Sequence, residues 1–212
     1  MKASGFIFMS TIGILAYGSL IESPGHEIDP VIWERRKGVK TPFSIEFARS
    51  SFTRDGAPTV VPVESGGSPV HATILVLLDT VSQERAEDLL WRRETGNEYS
   101  DKHYVPQSIK DYSMRVVKHI QDFAGLDIVL YICFSANIVD LTPGKLAELA
   151  VKSAKANAGK SRKDGISYLM SLKRQGISTP LMKEYELEII RKTSSASLED
   201  AWAWCRKNKY NI

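Results

Sequence analysis

Ile12-Gly13-Ile14-Leu15-Ala16-Tyr17-Gly18-Ser19-Leu20-Ile21 is the stretch on which the reading of this chain turns. Its short apolar residues run straight into Tyr-Gly-Ser, the pattern of a buried strand over Ile12 to Ala16 that stops in a tight loop. Gly18 lets the backbone turn sharply and lets a ligand come close, while Ser19 and the amides after it offer donors to an anion. The strand supplies a rigid base and the loop supplies a pocket.

Working outward, Val39 to Phe47 alternates imperfectly around Pro42, and Thr59 to Val63 reads as a short strand after the Arg54-Asp55-Gly56 turn. In the next strand Val70, Ala72, Ile74, Val76 and Leu78 share one face and Leu75 and Leu77 the other. A strand apolar on both faces belongs in the middle of a sheet or barrel. Tyr112 to Val117 and Leu126 to Phe134 read as two further strands. Thr142-Pro143 opens a helix with Leu146, Leu149 and Ala150 as its apolar stripe. Gly165 to Leu172 is a helix with Ile166, Leu169 and Met170 facing in, and Leu181 to Arg191 and Leu198 to Lys207 close the chain as helices. This order suits an α+β fold: a small mixed β-barrel with surrounding helices. The expected division is a domain over residues 12–172 and a helical C-terminal extension over residues 173–212 packed on it.

With 212 residues, 43% of them hydrophobic and 25% charged, the chain has the composition of an ordinary folded protein. Its net charge of +3 is mild and calls for neither nucleic acid nor an anionic membrane. Cys133 and Cys205 stand apart, and His26, His71, His103 and His119 lack ligand spacing, so no disulfide framework, metal or cofactor is expected. No apolar run approaches the roughly 20 residues needed to span a bilayer. The residues before the first strand lack a cleavage pattern, which makes the cytoplasm the expected location.

Thr80, three residues before Gln83, fits a capping box that starts a helix. That helix sets Ala86, Leu90 and Glu94 on one line with Leu89 alongside, and Gly96 can end it. An acid in line with core residues is the most informative irregularity in the sequence. Buried acids are mostly held in ion pairs, and Arg92, Arg93 or Arg49 would serve as partner. A carboxyl taken out of water also titrates nearer neutrality, as a general base must. Glu98, just beyond Gly96, is the rival acid/base.

The Tyr17-Gly18-Ser19-Leu20 loop together with Arg93-Glu94 resembles the γ-glutamylcyclotransferase-like superfamily. Arg54-Asp55-Gly56-Ala57-Pro58-Thr59 sits where cation-transport-regulator-like (ChaC-like) members carry an Arg-Gly-Thr-Pro segment, and Gly165 to Leu169 is similar to their late Tyr-Leu helix. The likeness covers roughly Ile14 to Leu172. It departs from the pattern at Asp55-Gly56-Ala57 and matches nothing after Leu172. The resemblance implies a small-molecule γ-glutamyl substrate whose head group is bound by Tyr17, Gly18, Ser19 and Leu20, with Glu94 as general acid/base. Glu94 would take a proton from the α-amine as it attacks the γ-carbonyl and return one to the departing amine, releasing 5-oxoproline. Arg49 and Arg54 would meet a second carboxylate on the substrate. Family members act on γ-glutamyl amino acids, on glutathione, or on γ-glutamyl amines and acylated natural products.

A non-catalytic member of the same fold, binding a small acidic ligand or a protein, is the alternative. A third reading takes the basic cluster Lys152, Lys155, Lys160, Arg162 and Lys163 as a polyanion-binding face, although a solvated helix face explains it as well. Gly159-Lys160-Ser161 ends like a phosphate-binding loop but lacks the preceding strand and first Gly, and reads as a helix-end turn. Tyr104 and Tyr131, and the loops Ser65 to Pro69 and Asn97 to Gln107, are the remaining candidates for pocket walls.

Overall fold

The computed structural model describes residues 10–106 and 115–209. Strand β1 (Ile12–Ala16) is buried at every position, and α1 (Ser19–Glu22) follows it as a single helical turn. Next come β2 (Ile32–Lys40), β3 (Ser44–Ser51), β4 (Ala57–Val63) and β5 (His71–Leu77), then α2 (Gln83–Thr95). Two more strands, β6 (Arg115–Phe123) and β7 (Leu126–Phe134), precede five helices: α3 (Pro143–Lys155), α4 (Asn157–Lys160), α5 (Gly165–Arg174), α6 (Met182–Thr193) and α7 (Leu198–Lys207).

The strands form a mixed five-stranded sheet in the order β2-β5-β1-β7-β6 and a separate hairpin, β3-β4. In the sheet, Ile14 of β1 faces Leu75 of antiparallel β5 and Leu130 of parallel β7. Among the described residues this is no closed barrel, which corrects the barrel expected from the sequence. The hairpin pairs with itself rather than joining both edges of the sheet, and β2 and β6 end the sheet as edge strands.

The two-fold period of the strands sorts the core. Ile12, Ile14, Leu75, Leu77, Leu130 and Ile132 pack against Ala86, Leu89 and Leu90 of α2, while Leu15, Ala72, Ile74, Val76 and Val129 fill the opposite face. A second core joins Ile45, Phe47 and Val60 of the hairpin to Ala150 of α3, Leu169 of α5, Tyr185 and Ile189 of α6 and Ala201 of α7. Residues beyond Leu172 therefore share the hairpin's core. Burying each large side chain of this kind contributes about 2 kcal/mol.

Several boundaries differ from the sequence reading. The Val39–Phe47 stretch is split between β2 and β3 by residues 41–43. Strand β2 begins at Ile32 and was hidden by Glu34, Arg35, Arg36 and Lys37, charges that suit an exposed edge. Ser82, not Thr80, caps α2, accepting a hydrogen bond from the Arg85 amide. Strand β6 continues to Phe123, so only Ala124 and Gly125 separate it from β7. Tyr112 to Met114 and the last residues from Tyr210 lie outside the described residues. The helix openings at Thr142-Pro143 and Asp164 form as side-chain caps on α3 and α5, and Lys160-Ser161 ends α4 as a turn. No helix is long and apolar enough to cross a membrane among the described residues.

Segment 135–138 ties the hairpin to the sheet. The amides of Asn137 and Ile138 donate to the Ala48 carbonyl, the Asn137 side chain bonds both backbone groups of Ser50, and Arg49 donates to the Ser135 carbonyl at 2.8 Å. This junction leaves a cavity between the two cores.

Candidate active site

The cavity encloses about 470 Å³ and is walled by the ends of several elements. The turn after β1 contributes Tyr17, Ser19 and Leu20, the last turn of α2 contributes Arg93 and Glu94, and the hairpin contributes Arg49 and Arg54. Residues far apart in sequence thus meet at one site. Arg115 of β6, Phe134 of β7, Lys163 and Tyr168 complete its polar and aromatic lining.

Gly18 adopts φ 78°, ψ −140°, a backbone state that a side chain resists. The space above it is also taken, since a Cβ there would lie 2.6 Å from the Tyr168 hydroxyl. A side chain at this position would both strain the backbone and push Tyr168 aside. Ser19 and Leu20 are the first residues of α1, whose opening amides have no intrahelical acceptors. The Tyr17 hydroxyl donates to the Ile132 carbonyl at 3.0 Å, so its ring borders the cavity while its polar end is fixed to β7. Burial pushes that phenol's pKa well above its ordinary value, helped by Cys133 and Glu94.

Glu94 reaches the cavity because its four-residue step from Ala86 and Leu90 continues the buried stripe of α2, and Gly96 then ends the helix with φ 69°. Its side chain is 12% exposed and is bonded to Arg93, itself 14% exposed. Arg93 also donates to the Ser23 carbonyl at 2.6 Å and approaches the Ser19 hydroxyl at 3.5 Å. One guanidinium therefore links the acid to the glycine turn. Arg92, the next residue back, turns away and makes a bidentate pair with Glu27 at 2.8 and 2.9 Å. Glu98 accepts from the amides of His26 and Glu27 and holds that loop rather than facing the cavity.

The Tyr168 phenol is pushed up to about 12, chiefly by burial and further by Glu94, against Arg54 and the Val60 backbone. It stays protonated near neutral pH and can donate a hydrogen bond. Arg54 lies over the Tyr168 ring, 5.0 Å from its centre, and donates to the Lys163 carbonyl. The turn that carries Arg54 is pinned from outside: Ser153 donates to the Arg54 carbonyl, and Asp55 accepts from the Ala158 amide. Arg49 lies 5.1 Å from the centre of the Phe134 ring. Its pKa is lowered by burial and by the neighbouring charge of Arg115.

The chain matches no protein-family model and no curated protein at a significant level. What the site can do therefore rests on its own geometry.

The structure brings Tyr17, Ser19, Leu20, Arg49, Arg54 and Glu94 to one cavity, with Gly18 as the floor under Tyr168. It leaves other candidates elsewhere. Tyr104 bonds the Val117 backbone, and Tyr131 stacks on Phe43 at 4.5 Å between ring centres. None of the described residues of Ser65 to Pro69 or of segment 97–106 lines the cavity. The basic cluster is divided, with Lys163 at the cavity, Arg162 paired with Glu199, and Lys155 over the Trp204 ring.

Several lining residues escaped the sequence's assignment to this site, among them the polar or charged Tyr168, Arg93, Arg115 and Lys163. Tyr168 belongs to the Tyr-Leu segment already noted, and Arg93 adjoins the singled-out acid, so both carried a signal. Lys163 was read only as part of the basic cluster and not as a wall of this cavity, and Arg115, a lone cation at the start of β6, carried no signal. Among the described residues, no three His, Cys, Asp or Glu side chains gather as a metal site requires.

Proposed function

We propose that this chain is a cytoplasmic γ-glutamylcyclotransferase-like enzyme that converts a γ-glutamyl compound into 5-oxoproline and a free amine. The observation that carries the reading is the meeting of Glu94 with the Gly18-Ser19 turn through Arg93. An acid and a glycine turn, 74 residues apart in sequence at Arg93 and Ser19, border one cavity.

In this reading the α-carboxylate of the substrate takes the amides at the start of α1, and Arg93 adds positive charge beside it. The free α-amine then faces its own γ-carbonyl. Glu94 accepts a proton as the amine nitrogen bonds to the γ-carbon. The proton passes to the departing nitrogen as the amide C–N bond breaks, so the carboxylate is regenerated. The protonated Tyr168 phenol is a donor for the carbonyl oxygen as negative charge develops on it. Proton transfer by a positioned group contributes about 10²- to 10⁴-fold, and holding the chain folded for five-membered closure contributes much of the rest.

Incubation of the purified protein with γ-glutamyl amino acids, γ-glutamyl amines and glutathione, with 5-oxoproline read by mass spectrometry, tests the reaction. Release by the wild type, with at least a hundredfold loss in Glu94→Gln, is the expected result. Full turnover by a folded Glu94→Gln protein would overturn the mechanism.

One observation favours a second reading, a binding protein without turnover: Glu94 is already ion-paired to Arg93, so one of its carboxylate oxygens is engaged. Calorimetry separates the two, because a binder returns the γ-glutamyl ligand intact.

A further inference from the structure

The charges lining the cavity are unbalanced. Arg49, Arg54, Arg93, Arg115 and Lys163 line it, and among the described residues Glu94 is the single acid in that lining. Arg93 is engaged by Glu94, Ser19 and Ser23. Among the described residues Arg49, Arg54 and Arg115 have no carboxylate partner: Arg49 bonds the Ser135 carbonyl and Arg54 the Lys163 carbonyl. Arg115 goes further, since its Nε is buried with no hydrogen-bond partner there.

Arg49 and Arg115 come from different strands, β3 and the start of β6, yet meet at one residue: Arg49 lies over the Phe134 ring, 5.1 Å from its centre, and Arg115 is the register partner of Phe134. Two like charges brought together at a half-buried wall are costly unless an anion joins them. A guanidinium also offers a planar fork of donors that suits a carboxylate or phosphate. The γ-glutamyl head brings one carboxylate, which the turn after β1 and Arg93 would take. The cations on the hairpin and β6 are then left for the other end of the substrate.

We propose that Arg49 and Arg115 form an anion subsite for the departing part of the substrate, so that the released amine carries an acidic group. This rests on the γ-glutamyl reading for the identity of the substrate, though not for the existence of the anion site. A departing group with two negative charges is preferred to one with a single charge, because Arg54 and Lys163 stand on the same cavity wall. Arg115 sets this preference, since among the described residues its Nε has no acceptor.

The test compares kcat/KM of the wild type for γ-glutamyl-ethylamide, γ-glutamyl-alanine, γ-glutamyl-glutamate and γ-glutamyl-phosphoethanolamine, whose departing groups are neutral, singly charged, dicarboxylate and phosphate. The expected order rises with charge, by roughly 10- to 100-fold from neutral to dianion, and shows mainly in KM. The last two substrates tell a dicarboxylate partner from a phosphate. In Arg115→Gln the ratio of acidic to neutral substrate falls toward one, and Arg115→Lys keeps part of it. Equal rates for neutral and acidic substrates in the wild type would overturn the proposal, as would an unchanged ratio in folded Arg115→Gln. If none of the compounds yields 5-oxoproline, calorimetry with glutarate and with pyrophosphate still decides the subsite. Binding by the wild type that is lost in Arg49→Gln and Arg115→Gln sustains it, and absence of binding to the wild type rejects it. Where both variants fail to fold, the wild-type preference and the wild-type calorimetry give the answer alone.

Discussion

The backbone of Gly18 passes directly beneath the hydroxyl of Tyr168, 2.6 Å from where a Cβ would stand. The late helix α5 thereby closes over the turn that follows the first strand, and the two cores of the molecule meet at this contact.

Gly18→Ala meets two obstacles, the occupied space and a φ of +78°. The expected loss is about 1–3 kcal/mol of stability from the backbone alone, read as a lower Tm, with a larger loss in γ-glutamyl binding. Adding Tyr168→Phe removes the clashing oxygen and restores part of the stability but not all, because the dihedral cost remains. An alanine variant as stable as wild type would contradict the contact.

Arg93→Met cuts the link from Glu94 to Ser19 and Ser23 together. Charge-assisted hydrogen bonds of this kind are worth roughly 1.5–3 kcal/mol, so kcat/KM should fall about 10- to 100-fold while the helix stays folded by circular dichroism. Arg92→Met should behave in the opposite way, costing stability more than turnover, since Arg92 holds Glu27 and the Lys102 carbonyl away from the cavity.

The Glu27–Arg92 pair predicts acid sensitivity. Hydrogen bonds from Arg92 hold the Glu27 carboxyl below its ordinary 4.5. A carboxyl with a lowered folded pKa contributes stability that is complete above 4.5 and disappears as pH falls through the folded value. Wild-type Tm should therefore decline more steeply below about pH 4.5 than that of Glu27→Gln. The variant should start lower at neutral pH by roughly 3 kcal/mol, the cost of unpairing a buried ion. Parallel profiles would show that the pair does not titrate with folding.

At the other extreme, burial raises Tyr17, Tyr168 and Tyr185 above their ordinary 10.0. Groups raised in the folded state stabilise it fully below that pH and stop doing so as pH climbs through their folded values. Three such phenols give a slope of about 4 kcal/mol per pH unit in that window. Tyrosinate absorbance from them should appear together with the loss of near-ultraviolet circular dichroism, and Tyr168→Phe should make the alkaline transition shallower. Ionisation of all three in an intact fold would refute this.

Local pattern was enough wherever one element decides its own state. Ile12 to Ala16, the doubly apolar β5, the Gly96 stop of α2 and the Thr142-Pro143 opening of α3 were all legible, because periodicity, caps and turn residues act within a few positions. The four-residue step from Ala86 through Leu90 to Glu94 likewise marked the acid before any fold was known. Strand β2 was not legible, since its charges satisfy solvent at a sheet edge and mimic a loop. Neither was the open sheet, because closing a barrel or leaving a hairpin apart depends on pairings between distant strands.

Alone, then, the sequence determined most of the core elements though not strand β2, together with the glycine turn at 18 and the inward acid at 94, all consequences of short-range sterics and hydrophobic period. Only the tertiary structure decided that Arg93 rather than Arg92 or Arg49 pairs with Glu94, that Tyr168 covers Gly18, and that Arg49 and Arg115 line one cavity. Those relations arise where the hairpin and the sheet are tied through Asn137 and Arg49, and contacts across such a junction depend on packing that no local stretch encodes.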